Sequence, residues 1–485
     1  MAKDWATSSL DLHLELRGDG AGRDAGAGRG VRAGLETALR DVVRTGRLGP
    51  GTRLPSSRAL AADLGVARNT VAEAYSQLVA EGWLTAERGS ATRVAERVAS
   101  DPDLAGAQSR TAAAGPVPAR PFRYTLHAGS PDLSAFPRPA WLAAARRALA
   151  AAPSETFGYG HPQGRPELRA ALAGYLARAR GVRAHPDRIV VCDGFSDGLA
   201  LVTRVLRARG ARTLAVEEYG LPSARATVAA AGLRLATLPV DGQGAVIGAA
   251  GRAGAVLLTP AHQFPLGAAL APHRRTQAVE WARATGGLVI EDDYDGEFRY
   301  DRQPVGAVQA LAPEHVVYAG SASKSLAPAL RLGWLVLPAP LAREVAAARE
   351  LAAGPGSRLD QLTLAEFITS GGYDRHVRRS RLAYRRRRDR LAAVLAREAP
   401  RVRVTGVAAG LHALCELPPG QAEDHVVARA AARGLELEGL ARYRATDRAT
   451  GRPDRAALVV GYGSPAEHAF SNAVARLCAA LNDRA

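Results

Sequence analysis

Lysine is almost missing from this 485-residue chain: of its 64 Lys and Arg side chains only Lys3 and Lys324 are lysine. The rest of the positive charge is guanidinium, which in effect never deprotonates, so Lys324 stands where arginine chemistry is abandoned. A buried ammonium can lose its proton and become an amine nucleophile. A lone internal lysine is therefore either a remnant of arginine bias or a Schiff-base former, and its neighbours decide. Cysteine is scarce too. Cys192, Cys415 and Cys478 lie far apart with no metal-ligand spacing, which excludes a disulfide framework and a zinc module and suits a reducing compartment. No uninterrupted run approaches the ~18 apolar residues of a membrane span, and the first residues, MAKDWATSSLDLHLEL, lack an apolar signal core. The expectation is a soluble, cytoplasmic chain, long enough for more than one domain.

The neighbours of Lys324 read HVVYAGSASKSLAPALRLGWLVL, from His315 to Leu337. An apolar run from His315 to Ala319 suits a buried strand, and the small residues Gly320 to Ser323 turn the chain just before the lysine. Ser321, Ser323 and Ser325 flank it and Arg331 follows, a hydroxyl and guanidinium set suited to holding phosphate. Upstream, GLVIEDDY from Gly287 to Tyr294 is a second buried strand ending in carboxylates and a phenol. Ligands of open α/β sheets bind beyond such strand ends.

These segments resemble the pyridoxal-phosphate site of fold-type I aminotransferases, and the resemblance covers residues 121 to 485. It implies an α/β domain with a mostly parallel sheet, flanking helices and a smaller C-terminal subdomain. It also implies that Lys324 holds the cofactor covalently, that Asp292 pairs with the pyridine nitrogen and that Tyr294 bonds the ring 3-oxygen. Ser321, Ser323 and Arg331 would hold the phosphate together with the turn Gly194, Phe195, Ser196 in VVCDGFSDGLAL, where a strand feeds a helix N-terminus. Tyr159, in YGHPQGRPELRAAL, resembles the tyrosine that reaches a partner subunit's phosphate site and so implies a dimer. Gln263, in TPAHQFPLG, resembles the amide beside the ring oxygen; His262 next to it reads as structural.

The N-terminal part is different. A helical pattern over Val31 to Arg44 is followed by short helices at about Ser57 to Leu64 and Ala67 to Ala80, joined by a turn at Gly65 and Val66: helix-turn-helix spacing. Arg68, Asn69 and Thr70 open the second helix, where recognition helices meet base edges and phosphates. Leu84 to Val94 reads as a two-stranded wing with Arg88 and Gly89 at its tip. The stretch resembles the winged helix of GntR-type repressors, and that likeness makes Arg53, Arg58, Arg68, Thr70 and Arg88 the DNA-contact candidates, with Asn69 beside them. Ala91 and Arg93 depart from the wing pattern, Arg93 adding a candidate phosphate contact. Gly18 to Gly30 reads as a loop, and the Pro, Ala and Gly rich 95–120 as a flexible linker between a domain over 10–94 and one over 121–485.

A GntR-type reader joined to an aminotransferase-like domain is similar to the MocR-type transcription regulators. That likeness implies a head-to-tail homodimer whose cofactor domain senses pyridoxal phosphate or a small amino compound and repositions the readers on double-stranded promoter DNA. The alternative is a working aminotransferase with a DNA-binding appendage. Two departures favour the regulator: Val459, in LVVGYG, stands where many of these domains carry a carboxylate-clamping arginine, and Leu221 stands where an aromatic usually stacks near the cofactor ring. Arg225 and Arg442 are the alternative carriers of that clamp, and for both the surface reading is preferred. The net charge of +17 does not reside in the reader, since residues 1–100 hold 14 basic and 12 acidic side chains. It concentrates in 374–390, where Arg378, Arg381, Arg385 and Arg388 fall on one helical stripe and read as a second, sequence-independent DNA contact.

Overall fold

Apolar residues at helical spacing build the first unit. Leu35, Leu39, Val42 and Val43 of helix α1 (Ala27–Arg44) pack on Leu60 and Ala61 of α2 (Ser57–Leu64) and on Val71, Ala74, Tyr75 and Leu78 of α3 (Arg68–Ala80). The computed structural model describes residues 27–86, 91–96, 122–300, 305–351, 356–445 and 455–483 and divides into two units, Met1–Ala119 and Arg120–Ala485. Helix α1 begins four residues before the sequence pattern starts, so 27–30 are helical rather than loop. Ser56 caps α2 by accepting the Ala59 N–H at 3.2 Å. Gly65 ends α2 at φ 65°, a left-handed conformation that costs glycine nothing, and the tight turn brings α3 across. Leu84–Thr85 and Arg93–Val94 pair antiparallel as the wing. Its tip, Arg88 and Gly89, lies outside the described residues, as does 97–120 of the expected linker; Ala95 still belongs to the first unit, its N–H bonded to the Trp83 carbonyl.

The second unit is built on a seven-stranded sheet. From one edge to the other the strands are Ile189–Cys192, Gly333–Val336, Val316–Ser321, Leu288–Asp292, Ala255–Leu258, Thr213–Glu217 and Arg234–Leu238. Only Gly333–Val336 runs antiparallel to its neighbours. Most of these strands are buried along their whole length, as expected for a sheet covered by helices on both faces. A smaller antiparallel sheet of Arg403–Thr405, His412–Glu416, Ala457–Gly461 and Glu438–Gly439 forms the C-terminal subdomain with helices Glu423–Ala432 and Glu467–Asn482. The long helix Gly372–Glu398 buries Tyr384, Leu391 and Leu395 in the core of that subdomain. All three cysteines are buried and free, and no helix among the described residues is long and apolar enough to cross a membrane.

Candidate cofactor site and nucleic-acid interface

The parallel strands all end at one rim, and the residues just past their ends line a single cavity of ≈190 Å³. Gly194, Phe195 and Ser196 follow the first strand, Glu217, Tyr219, Gly220 and Leu221 the sixth, and Thr259 the fifth; Asp292 and Tyr294 close the fourth, and Ser321, Ser323 and Lys324 the third. Arg331 precedes the antiparallel strand and so reaches the same rim.

Strand parity decides which carboxylate faces the cavity. Asp292 lines it, whereas Asp293 points the other way and is sealed behind the sheet by Arg180 at 2.6 Å and by the Tyr318 hydroxyl at 2.7 Å. Burial, then the neighbouring Asp293, push Asp292 well above the usual carboxylate range, and the field of Lys324 opposes them. Burial pulls the Lys324 ammonium below its usual range, opposed by Asp292 and Asp295. The turn carrying Lys324 is held from behind: Tyr373 donates to Ser325 Oγ at 2.7 Å, and His376 Nε2 lies 2.7 Å from the Ser325 carbonyl.

The phosphate end is built on glycines. Gly194 sits at φ 98°, and a Cβ on Gly333 would lie 2.8 Å from the Gly194 Cα, so both positions need hydrogen as side chain. Helix Phe195–Ala208 then starts with its N–H groups at the rim. Arg349, almost fully buried, bonds Asp193 at 3.0 Å and contacts Asp197, fixing that turn. Arg331 has no hydrogen bond or ion pair with any described residue, and the side chains of Ser196, Ser321, Ser323, Lys324 and Asp292 likewise make no hydrogen bond among them. A cavity wall bearing six such polar groups is built for a polar occupant.

Four expectations change. Gln263 does not line the cavity. It is 1% exposed, and its amide nitrogen donates to the carbonyls of Tyr219 and Phe264 and to Glu217, so it braces the wall while Phe264, the residue before Pro265, faces inward. Arg225 is no surface residue: it lines the cavity, and its guanidinium donates to the carbonyls of Gly220, Tyr443 and Arg444, stitching the 219–225 turn to the C-terminal subdomain. Arg442 does sit at the surface, paired with Glu438 at 2.8 Å. Arg93 donates to the Gly51 carbonyl at 2.9 Å, which makes it a brace of the wing. Finally, Arg378, Arg381, Arg385 and Arg388 do not form one solvated stripe. Arg381 donates to the Glu297 carbonyl at 2.7 Å and Arg388 is partly buried beside Asp389, leaving Arg378 and Arg385 exposed.

Sequence reasoning missed three features. Glu217 sits in the cavity wall, bonded by the Thr259 hydroxyl at 2.6 Å and pushed up to about 7 by burial. Tyr219, two residues before Leu221, supplies an aromatic wall. Arg387, inside the arginine run, is a buried hub bonded to Asp132 at 2.7 Å, to Glu467 at 2.8 Å and to the Pro465 carbonyl. Val459 is fully buried in the cluster that contains Tyr219 and Phe264, an apolar setting with no guanidinium of its own. Tyr159 is 97% exposed.

In the first unit, Arg32 pairs with Glu73 at 3.2 Å and Arg40 with Glu81 at 2.8 Å. Arg53, Arg58 and Arg68 are exposed and have no ion pair with any described residue; Asn69 is exposed and Thr70 half-buried at the start of α3. Free guanidinium groups around a helix N-terminus make a surface suited to phosphates.

Comparison with known proteins agrees with both halves. Residues 32–94 match the family model described as bacterial regulatory proteins, gntR family, and 125–438 match aminotransferase class I and II. The chain is 34% identical over 451 residues to the HTH-type pyridoxine biosynthesis transcriptional regulator PdxR of Corynebacterium glutamicum, covering 92% of this chain and 95% of the relative. It is 33% identical to the probable rhizopine catabolism regulatory protein MocR of Rhizobium meliloti, over 75% and 76% of the two chains. Among solved structures, the α-aminoadipate aminotransferase LysN of Thermus thermophilus superposes with a TM-score of 0.66 at 23% identity, over 75% of this chain and 92% of that one. An archaeal alanine:glyoxylate aminotransferase gives 0.67 at 22%, over 78% and 94%; both establish the fold.

A winged helix joined to an aminotransferase-type body with a polar cavity defines a DNA-binding transcription regulator with a cofactor domain. The chain belongs to the MocR-type regulators of the GntR superfamily. The cofactor implied by that domain is pyridoxal phosphate, and the donor set fits it: the Lys324 amine, the buried carboxylates of Asp292 and Glu217, the phenols of Tyr294 and Tyr219, and hydroxyls with a free guanidinium at a helix N-terminus.

Proposed function

We propose that the cavity holds pyridoxal phosphate as a sensing group and that its occupancy, alone or with a small amino compound, changes how the winged helices of a dimer engage a promoter. The observation that carries this reading is the pairing of an intact cofactor wall with the absence of a carboxylate clamp at Val459. When bound, the cofactor supplies an aldehyde for covalent capture of an amine and a ring that accepts electrons. Lys324 is the covalent anchor, and its burial favours the neutral, nucleophilic amine. Asp292 is the partner of a protonated ring nitrogen, and that cation would reverse the upward push that burial exerts on the carboxyl. Tyr294 donates to the ring oxygen. Ser196, Ser321, Ser323 and Arg331 hold the phosphate with the N–H groups at Gly194 to Ser196, and Gln263 braces the wall of Glu217, Tyr219 and Phe264 from behind.

Tyr159 is exposed on a single chain, which suits a head-to-tail dimer in which it completes the partner's phosphate site. Arg53, Arg58, Arg68, Asn69, Thr70 and Arg88 are the proposed DNA contacts, and the place of work is the cytoplasm. The effector class includes pyridoxal phosphate itself, in line with the name of the Corynebacterium glutamicum relative, a pyridoxine biosynthesis regulator. Turnover is expected to be vestigial, because a valine makes no bidentate contact to an amino-acid carboxylate. The test is direct: wild-type protein mixed with pyridoxal phosphate gains a visible absorbance band that Lys324→Ala lacks, and amino donors give at most a single turnover. Sustained multiple-turnover transamination would overturn the regulator reading in favour of an enzyme.

A further inference from the structure

The wall around Tyr294 carries a second layer that binding of the cofactor does not by itself explain. The Tyr294 hydroxyl lies 3.0 Å from His262 Nδ1, and the same nitrogen lies 2.7 Å from Asp295 Oδ2. His262 and Asp295 are 3% and 2% exposed. An imidazole nitrogen that close to a carboxylate carries the ring proton and donates it. Nδ1 so protonated cannot accept the phenolic hydrogen, and its own hydrogen is committed to Asp295. The phenolic hydrogen then goes either to the Asp295 carboxylate, whose hydrogen bond holds the phenol up, or to an acceptor in the cavity, and the imidazole hydrogen on Asp295 favours the cavity acceptor in that competition.

The surroundings hold this arrangement in place. Gly410, at φ 71°, has no room for a side chain, since a Cβ would lie 2.3 Å from Asp295 Oδ2 and 2.5 Å from His262 Nδ1. Gly267, at φ 77°, is crowded as well: a Cβ there would lie 2.9 Å from the Gly406 Cα and 3.6 Å from His262 Nε2. The His412 ring packs 4.9 Å from His262, with its Nε2 3.2 Å from the Pro265 carbonyl. Phe264, edge-on to Tyr294 at 5.8 Å, lines the same wall and offers no donor. Among the described residues, the charged and titratable groups facing the cluster are Asp292 and Lys324 from the strand ends, Tyr300 further along the chain, His412 and Tyr462 from the C-terminal subdomain, and Asp295 itself. Burial, then Asp295 and Asp292, push the Tyr294 phenol well above its usual range, so it stays a neutral donor throughout the accessible pH range.

We infer that His262 and Asp295 are positioning residues that fix the Tyr294 hydroxyl as a hydrogen-bond donor to the ring oxygen of the bound cofactor. The inference rests on the proposed binding of pyridoxal phosphate. Its consequence is spectroscopic. Without the donated hydrogen bond the ring oxygen becomes more basic, and the protonated, coloured form of the Lys324-bound cofactor persists to higher pH.

The experiment titrates the visible absorbance of the pyridoxal-phosphate-loaded full chain against pH. Tyr294→Phe and His262→Leu should each raise the midpoint by about one unit, roughly a tenfold change in the proton equilibrium. The double variant should show no further rise, since both remove the same hydrogen bond. His262→Asn, which keeps a donor at the Nδ1 position, should stay near the wild-type midpoint. Asp295→Asn reads the same contact if the leucine variant does not fold, and should raise the midpoint as well. A midpoint that moves with Tyr294→Phe but not with His262→Leu or Asp295→Asn would overturn the positioning role. A wild-type chain that gains no band at all would instead refute the cofactor reading beneath it.

Discussion

Residues 375–390 hold nine arginines and the reader segment 53–70 holds three; every arginine of the smaller set has a guanidinium without a partner among the described residues, against three of the larger, Arg378, Arg386 and Arg390. In the long helix, Arg381 is bonded to a backbone carbonyl, Arg387 is buried among Asp132, Glu467 and a carbonyl, and Arg385 and Arg388 lie near Asp389. In the reader, Arg32 and Arg40 bind glutamates while Arg53, Arg58 and Arg68 bind no described residue. Density of charge along a sequence therefore says little about nucleic acid. What matters is whether each guanidinium already has an acceptor, because a paired cation must break that contact to meet a phosphate.

The comparison can be broken most severely at Arg387. Arg387→Met leaves Asp132 buried without its cation and should lower the stability of the second unit by about 3–5 kcal/mol, measured by denaturant unfolding. A loss below about 1 kcal/mol would mean the run is not the structural strut described. Next in size, Arg53→Ala, Arg58→Ala and Arg68→Ala should each weaken operator binding and lower the magnitude of the log Kd against log salt slope by about 1, the loss of one phosphate contact. Smaller still, Arg378→Gln with Arg385→Gln should leave that slope unchanged; a fall of about 2 would restore the arginine helix as a second DNA contact.

A pH measurement sharpens the account of the cavity wall. The folded Glu217 carboxyl is held up to about 7, against 4.5 unperturbed, by burial. Between those values the folded chain keeps a proton that the unfolded chain has released, so its contribution makes stability fall as pH rises through that window. Glu217→Gln should flatten this fall by about 2 kcal/mol, read as stability at pH 5 minus stability at pH 7. An unchanged difference would place the pH dependence on Glu291 and Glu297, which burial also pushes up to about 7.

Much of the plan could be read before the fold was seen, for a physical reason. The helix-turn-helix is local: its periodicity, the Ser56 cap and Gly65 lie within a few residues of one another. Asp292, Tyr294 and Lys324 were legible because each follows an apolar strand whose end must reach the rim. What stayed hidden depends on turns and on distant partners. Gln263 and Phe264 differ by one position, and only the backbone path shows that the amide turns inward to satisfy carbonyls while the ring faces the cavity. Arg225 reads as a surface arginine and Arg387 does not stand out from the run, because their acceptors, Tyr443 and Asp132, lie more than two hundred residues away in the sequence. Glu217 reads as an ordinary strand-end carboxylate until Thr259 and Gln263 close over it.

The central claim is that the state of the cavity is felt by the reader, and one titration tests it. Operator affinity is measured for the wild type and for Lys324→Ala, each with and without saturating pyridoxal phosphate. The account predicts that the cofactor changes wild-type affinity by at least about fivefold, a coupling near 1 kcal/mol, and leaves the variant unmoved. Equal wild-type affinity in both conditions, with the visible band present, would contradict it.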